Sequence, residues 1–493
     1  MSAFGGKADI DAHPRSHMIE RAPADRQYGG GNEGGFAMAT LRPTATTVFD
    51  SILFRDAFGT PRMREIFSDH ALISRYVEVE IALARAQARC DVIPAEAAEQ
   101  IAAKSNVASL DFDLLRQETD IVGYPVLPLV HQLVKQCGDA GRYIHWGATT
   151  QDIMDTAVVL QIREGLAFIE TEIGELRGIL ADLARKYRDT PMAGLTHLQQ
   201  ALPITFGYKV AIWLAIFDRH AERLEQLKPR VLVGEFAGAA GTLASLGEKG
   251  FEVQRTFCEE LGLGVPVSTW HVARDGLAET INLLGLITGS LGKIALDVMI
   301  MASTEFAELY EPFVKGRGAS STMPQKRNPI SSELMLAAAK AVRQHAGLML
   351  DATIHDFERA TGPWHAEWIA IPESFILTGG ALNQAKFALG GLIVDERQMA
   401  KNLDLSRGLI VAEAVMMGLA PHIGRQQAHD VVYDACRTVN EKGGSLSETL
   451  VANPEISDRI DHATIDRLTA PRNYLGQARQ MVDRVVASVP RGN

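Results

Sequence analysis

The stretch GRGASSTMPQKRNP, residues 316–329, places two serine hydroxyls, a lysine and two arginines among residues that no regular element tolerates. Pro324 and Pro329 interrupt helices and strands, and Gly316 and Gly318 open backbone shapes closed to other residues. Such content predicts a mobile loop that can hold an anion and close over it. Two further polar clusters stand before long apolar-patterned runs. In HWGATTQD (145–152), Thr149, Thr150, Gln151 and Asp152 are N-cap and first-turn residue types. The free N–H groups and hydroxyls of a helix start also bind carboxylates well. In GLTHLQQALP (194–203), His197 read alone is a satisfied core histidine. Its neighbours Thr196, Gln199 and Gln200, together with the serine-rich loop, favour a proton-transfer group instead.

The elements that must position these clusters are helical in pattern. Residues 152–189 carry apolar positions at three- and four-residue spacing without an internal proline, predicting a helix of about 55 Å. Similar patterns run from beyond Pro203 to about 228, over 273–303, and from near Pro329 to about 354. Alternating strand-like runs are scarce and no repeat of 20–50 residues occurs. The expected fold class is all-α, an elongated bundle whose long helices need neighbours from other subunits to cover their sides. The apolar stretch 281–301 is long enough to span a membrane, but Lys293, Asp297 and two glycines within it favour a buried bundle helix. Residues 1–37, with a GGGNEGG run and no apolar signal region, read as a disordered extension. The expected domains are 38–150, 151–395 and 396–493, the last boundary set by the composition change in GGLIVDERQMAKNL.

Composition narrows the function. A chain of 493 residues has room for two or three domains with a sizeable core. The formal net charge of −11 disfavours nucleic acid and anionic membranes as main partners, while leaving room for a local cationic pocket. Cys90, Cys137, Cys258 and Cys436 are far apart, without CxxC or zinc spacing, as expected of free thiols in a reducing cytoplasm. No metal is expected: His365 and Glu367 in WHAEW are two apart and no HExxH occurs. No cofactor is expected either, since the glycines of VGEFAGAAGTLASLG (233–247) miss the GxGxxG spacing and read as a small-residue turn between helices.

Taken together, the three clusters resemble the fumarase/aspartase superfamily. Its S-S-x-M-P-x-K-x-N-P loop is matched by Ser320, Ser321, Met323, Pro324, Lys326, Asn328 and Pro329. Its G-x-T-H-x-Q and G-x-T-[ST]-x-D blocks are matched at 194–199 and 147–152, in the expected order. The resemblance spans about residues 46–485. It implies a homotetramer with a central twenty-helix bundle, active sites assembled from three subunits, and a small di- or tricarboxylate substrate. It also implies Ser320 as general base, with Lys326 and Asn328 stabilising an enediolate-like intermediate. Thr149, Thr150, Thr196 and Gln200 would hold carboxylates, joined by Gln151, Ser321, Met323, Arg359 and His365.

The nearest likeness is to the 3-carboxy-cis,cis-muconate cycloisomerase branch, through HWGATTQDIMDTA, QQALPITFGYKVA, GPWHAEW (362–368) and YLGQA (474–478). His197 departs from it. That position is commonly Leu or Trp in the cycloisomerases and His in the lyases that release ammonia or an amine. A departing amine needs a general acid, whereas a carboxylate leaves as an anion. The expected reaction is therefore β-elimination from an N-substituted aspartate or related succinate to give fumarate, with cycloisomerisation as the alternative. Adenylosuccinate cleavage ranks third, because no Arg-Tyr pair precedes residue 60 and TDIV (119–122) replaces that enzyme's H-D-V block.

Overall fold

The computed structural model describes residues 46–359 and 361–489, so the extension at 1–37 lies outside the described residues. The described residues form one compact unit. Its framework is the helices Asp69–Arg89, Thr150–Lys186, Phe206–Val231, Asp275–Met301, Ile330–Asp351 and Pro363–Gly390. The fold is thus all-α, with only two small antiparallel strand pairs among the described residues. Thr150–Lys186 buries Leu166, Ile169, Ile173, Leu176 and Leu180 at the one-sided spacing its sequence predicts, while its first turns, residues 151–162, are buried nearly all round. Asp275–Met301 is the one described helix long and apolar enough to cross a membrane. Its Ile281, Leu284, Ile287, Leu291 and Ile294 are wholly buried against neighbouring helices, so it serves here as a bundle helix.

Pro363–Gly390 was not among the helices its pattern announces, because it is apolar nearly all round and carries Pro372. It lies deep in the core, and at Gly380 a Cβ would stand 2.3 Å from the Phe58 carbonyl oxygen. Only glycine permits that approach. Beside the main core, a second cluster joins Asp69–Arg89 to the start of Thr150–Lys186, and a third occupies residues 415–465. The last helix, Ala478–Val486, returns to the main core through Val482.

GLTHLQQALP does not lead directly into a helix. Pro191–Thr196 pairs with Gln199–Thr205, leaving His197 and Leu198 as a two-residue connection. Both have positive φ, 50° and 62°, the requirement of a type I′ hairpin turn. The next helix starts only at Phe206, where the Thr205 hydroxyl accepts from the Tyr208 N–H. His197 is exposed at this tip, so the core-histidine reading fails.

Candidate active site

At the N-terminal end of the Thr150–Lys186 helix, the Thr149 N–H donates to Asp152 Oδ2 (2.8 Å). Asp152 is wholly buried and also accepts from the N–H groups of Ala237 and Gly238, each at 3.0 Å, while His271 Nε2 lies 2.8 Å from its Oδ1. The 233–247 segment is therefore more than a turn: it straps the helix start. Behind it, Glu235 accepts from the Trp270 N–H (2.6 Å) and the Thr269 hydroxyl (3.1 Å). Burial pushes the Glu235 carboxyl up to about 7 against the opposing pull of His271. Asp152, Glu235 and His271 bring ligating atoms within 4.8 Å of one another, a grouping that sequence spacing did not reveal. The hydrogen bonds just described already engage those atoms in holding the strap.

One turn further on, Arg274 is 1% exposed and forks onto Asp155 (2.6 and 2.9 Å) and Glu367 (2.8 Å to Oε1, with a second contact to Oε2). Burying these charges is tolerable only because each is paired and hydrogen-bonded. Trp364 Nε1 donates to Asp155 (3.1 Å). Gln151, expected to touch substrate, is buried and its amide is committed to Asp155 (3.0 Å) and the His271 carbonyl (2.8 Å). Thr149 and Thr150 stay half-buried, and Arg359 donates to the Thr149 hydroxyl. His365 packs against Trp368, ring centroids 4.5 Å apart, and its Nδ1 has no partner among the described residues. Arg274, Asp155, Glu367 and His271 were missed from sequence. The available signal was charge set inside apolar runs, as in DIMDTAVV and WHAEW.

The other candidates sit at the far end. Gln200 Nε2 donates to the Asn402 carbonyl (2.6 Å), and its Oε1 is buried without a partner among the described residues. Thr196 and His197 are exposed beside it. In the serine-rich loop, Ser320 Oγ accepts from the N–H groups of Thr322 (3.2 Å) and Met323 (3.0 Å). Ser321, Met323 and Lys326 are exposed. The root of the loop is firm: the Asn328 N–H donates to the Gly318 carbonyl (3.0 Å), and Ala319 and Arg327 form a single antiparallel bridge. Gly318 has φ +68°, and a Cβ there would stand 2.5 Å from the Asn328 carbonyl oxygen. Arg317 donates to Ser331 Oγ (2.6 Å) and Gln384 Oε1 (2.9 Å) and lies over the Phe387 ring. The Glu311 carboxylate accepts from the N–H groups of Ser331 and Ser332 at the next helix start.

Distance separates the two ends. Thr149 and the hairpin bracket a 37-residue helix, about 55 Å long. Trp364 meets Asp155 and Gln384 meets Arg317, and those partners stand twenty residues (384 − 364), about 30 Å, apart along Pro363–Gly390. Among the described residues, no hydrogen bond or ion pair joins Thr149, His197 and Ser320.

A helical bundle bearing these three blocks defines a class, and comparison with known proteins gives it a family. Residues 57–343 match the family described as Lyase, and residues 408–485 the family described as Adenylosuccinate lyase C-terminus. The chain belongs to the fumarate lyase superfamily, in its 3-carboxy-cis,cis-muconate cycloisomerase-like branch, and is an enzyme of the lyase class. It is similar to the crystal structure of a fumarate lyase from Mesorhizobium sp. BNC1, with 57% identity, a TM-score of 0.83, and coverage of 87% of this chain and 98% of that one. Among curated relatives, trans-aconitate decarboxylase 1 of Mycosarcoma maydis is 45% identical over 480 residues, 97% of this chain and 96% of that protein. The 3-carboxy-cis,cis-muconate cycloisomerase of Acinetobacter baylyi is 43% identical over 442 residues, 88% of this chain and 98% of its own. The N-acetyl-S-(2-succino)cysteine lyase of Dickeya dadantii is 39% identical, covering 90% and 97%.

Proposed function

We propose that the protein is a β-eliminating lyase that expels an amine, or a related heteroatom group, from a substituted succinate and releases fumarate. The observation that carries this reading is the His197 imidazole, exposed on a two-residue hairpin tip and free to protonate a leaving group. Ser320 is the base. The two backbone N–H groups that reach its Oγ stabilise the alkoxide, and Lys326 adds positive charge as the loop closes. Ser320 takes the proton from the carbon next to one carboxylate, whose oxygens then carry the enediolate charge, with Asn328 among their donors. Thr149, Thr150, Arg359, Thr196 and Gln200 hold the carboxylates, with Ser321, Met323 and His365 as further contacts. His197 gives its proton to the departing nitrogen as the carbon–heteroatom bond breaks, leaving fumarate and the free amine.

This site requires more than one copy of the chain, since its two halves stand at opposite ends of the long helix. A homotetramer with shared sites meets that need. Support comes from apolar side chains that the long helices leave open, among them Leu286, Leu296, Leu350 and Ile212. The Dickeya relative, named for cleaving a succinyl thioether, supports heteroatom elimination in a chain of this kind. A second reading, lactonisation of 3-carboxy-cis,cis-muconate, is favoured by the identity to the Acinetobacter enzyme and uses the same intermediate. Incubating the enzyme with fumarate plus a panel of amines and thiols, and separately with 3-carboxymuconate and with trans-aconitate, decides between them. An N- or S-substituted succinate product supports elimination. Lactone alone, or carbon dioxide alone from trans-aconitate, overturns it.

A further inference from the structure

A cavity of about 290 Å³ lies among the helices Asp69–Arg89, Thr150–Lys186 and Pro363–Gly390, and no step of the proposed reaction uses it. An apolar cavity of about 150 Å³ already admits benzene, so this one has room for a substituted ring. Protein interiors rarely keep voids larger than a water molecule. Its floor is formed by Tyr76, Met154, Trp364 and Ile371, all buried, and its rim includes half-buried Leu72 and Trp368. Asp155 and Glu367 also line it and share Arg274 as their one cation, so two carboxylates face a single positive charge and the cavity disfavours an anion. Trp364 and Trp368 meet edge to face, centroids 5.3 Å apart, giving a wall suited to a flat group.

Tyr76 brings this lining a polar group: the residue is 1% exposed and its phenol lies near Asp155. Burial beside Asp155 raises that phenol above its ordinary range, so it stays protonated and able to donate. We infer that this cavity is a binding site for a compact, flat, mainly apolar group carrying one atom that hydrogen-bonds to the Tyr76 hydroxyl.

Two sources have that chemistry: a substituent of the substrate, or a separate small aromatic molecule. The substituent source rests on the elimination reading. It has a spatial basis, because Met154 and Asp155 follow Thr149 by five and six residues, about 8–9 Å along the helix.

Calorimetry with phenol and with toluene, ligands of similar size, tests the site on the full chain without turnover. Saturable binding of both is expected. Tyr76→Phe should weaken phenol roughly five-fold and leave toluene unchanged. Val158→Phe, which grows into the cavity, should abolish both. Leu72→Phe, on the rim, provides a second filling variant should Val158→Phe fail to fold. Absence of saturable binding to the folded protein, or wild-type binding by the filled variants, overturns the inference. If the occupant is a substrate substituent, toluene competes with succinates bearing an aryl amine. If it is a separate molecule, bound toluene leaves their KM unchanged. Should no succinate be cleaved at all, the elimination reading falls while calorimetry still decides the cavity.

Discussion

At the Thr149 end of the long helix, Asp155, Arg274 and Glu367 are buried and joined by charge-assisted hydrogen bonds, and Asp152, also buried, accepts from the Gly238 N–H and faces His271. At the other end, residues 321–327 and the His197 tip are exposed, held by backbone turns and by anchors at their roots. The first arrangement fixes groups in place before any ligand arrives, which suits the capture of carboxylates. The second leaves the proposed base and acid exposed to a substrate that, in the proposed shared site, another copy of the chain holds. In that proposal stability and reactivity reside at opposite ends of one helix.

The largest effect expected is at the exposed end. Ser320→Ala should lower turnover by roughly a thousand- to ten-thousand-fold, the upper range for a lost acid–base group, and leave the melting temperature within about 1 °C. Near-normal turnover would remove Ser320 from the reaction. The comparison sharpens when Ser320→Ala is unfolded and refolded together with Arg359→Ala. Sites that draw their two halves from different copies regain activity in such mixtures, and failure to regain any would place both halves in one chain.

His197→Leu is expected to slow elimination by roughly a hundred- to ten-thousand-fold if nitrogen is the leaving atom. Melting should barely change, since the tip is exposed and buries nothing. Unimpaired lactonisation of 3-carboxymuconate by that variant would establish the cycloisomerase reading.

Arg274→Met should show the opposite pattern, with stability affected first. Two carboxylates would be left buried without their cation, at a cost of about 3–5 kcal/mol in urea unfolding. A variant as stable as the parent would refute the claim that this ion cluster holds the rigid end.

The same contrast explains what could be read from sequence. The exposed loop was legible because Pro, Gly, Ser and Lys announce an irregular segment by residue type alone. The long helices were legible because one-sided apolar spacing survives burial on one face. The rigid end was not, because Arg274 meets partners 119 and 93 residues away and no local pattern encodes such pairings. Gln151 shows the cost: its first-turn position suggested a ligand contact, yet its side chain points into the buried network. The hairpin escaped for a different reason, since His197 and Leu198 lack the Asn-Gly signature that normally marks a type I′ turn.

The smallest effect expected concerns pH at the rigid end. The Glu235 carboxyl stands at about 7 in the folded chain, chiefly because burial penalises its charge, against an ordinary value of 4.5. Between those values the folded protein keeps a proton that the unfolded chain has released. Stability from this group therefore falls as pH rises from about 4.5 to about 7, by at most about 3 kcal/mol. His271 acts in the same direction at higher pH. Its hydrogen bond and charge contacts with Asp152 and Glu235 outweigh its burial and raise it above 6.5, so its contribution is lost as pH climbs through that raised value. Glu235→Gln keeps an oxygen to accept from the Trp270 N–H and removes the titration. Melting curves from pH 4.5 to 8 should then differ in slope, the parent losing stability across the lower part of the range and the variant staying flatter there. Parallel curves would show that Glu235 does not change its protonation on folding between pH 4.5 and 8, and would overturn the raised value.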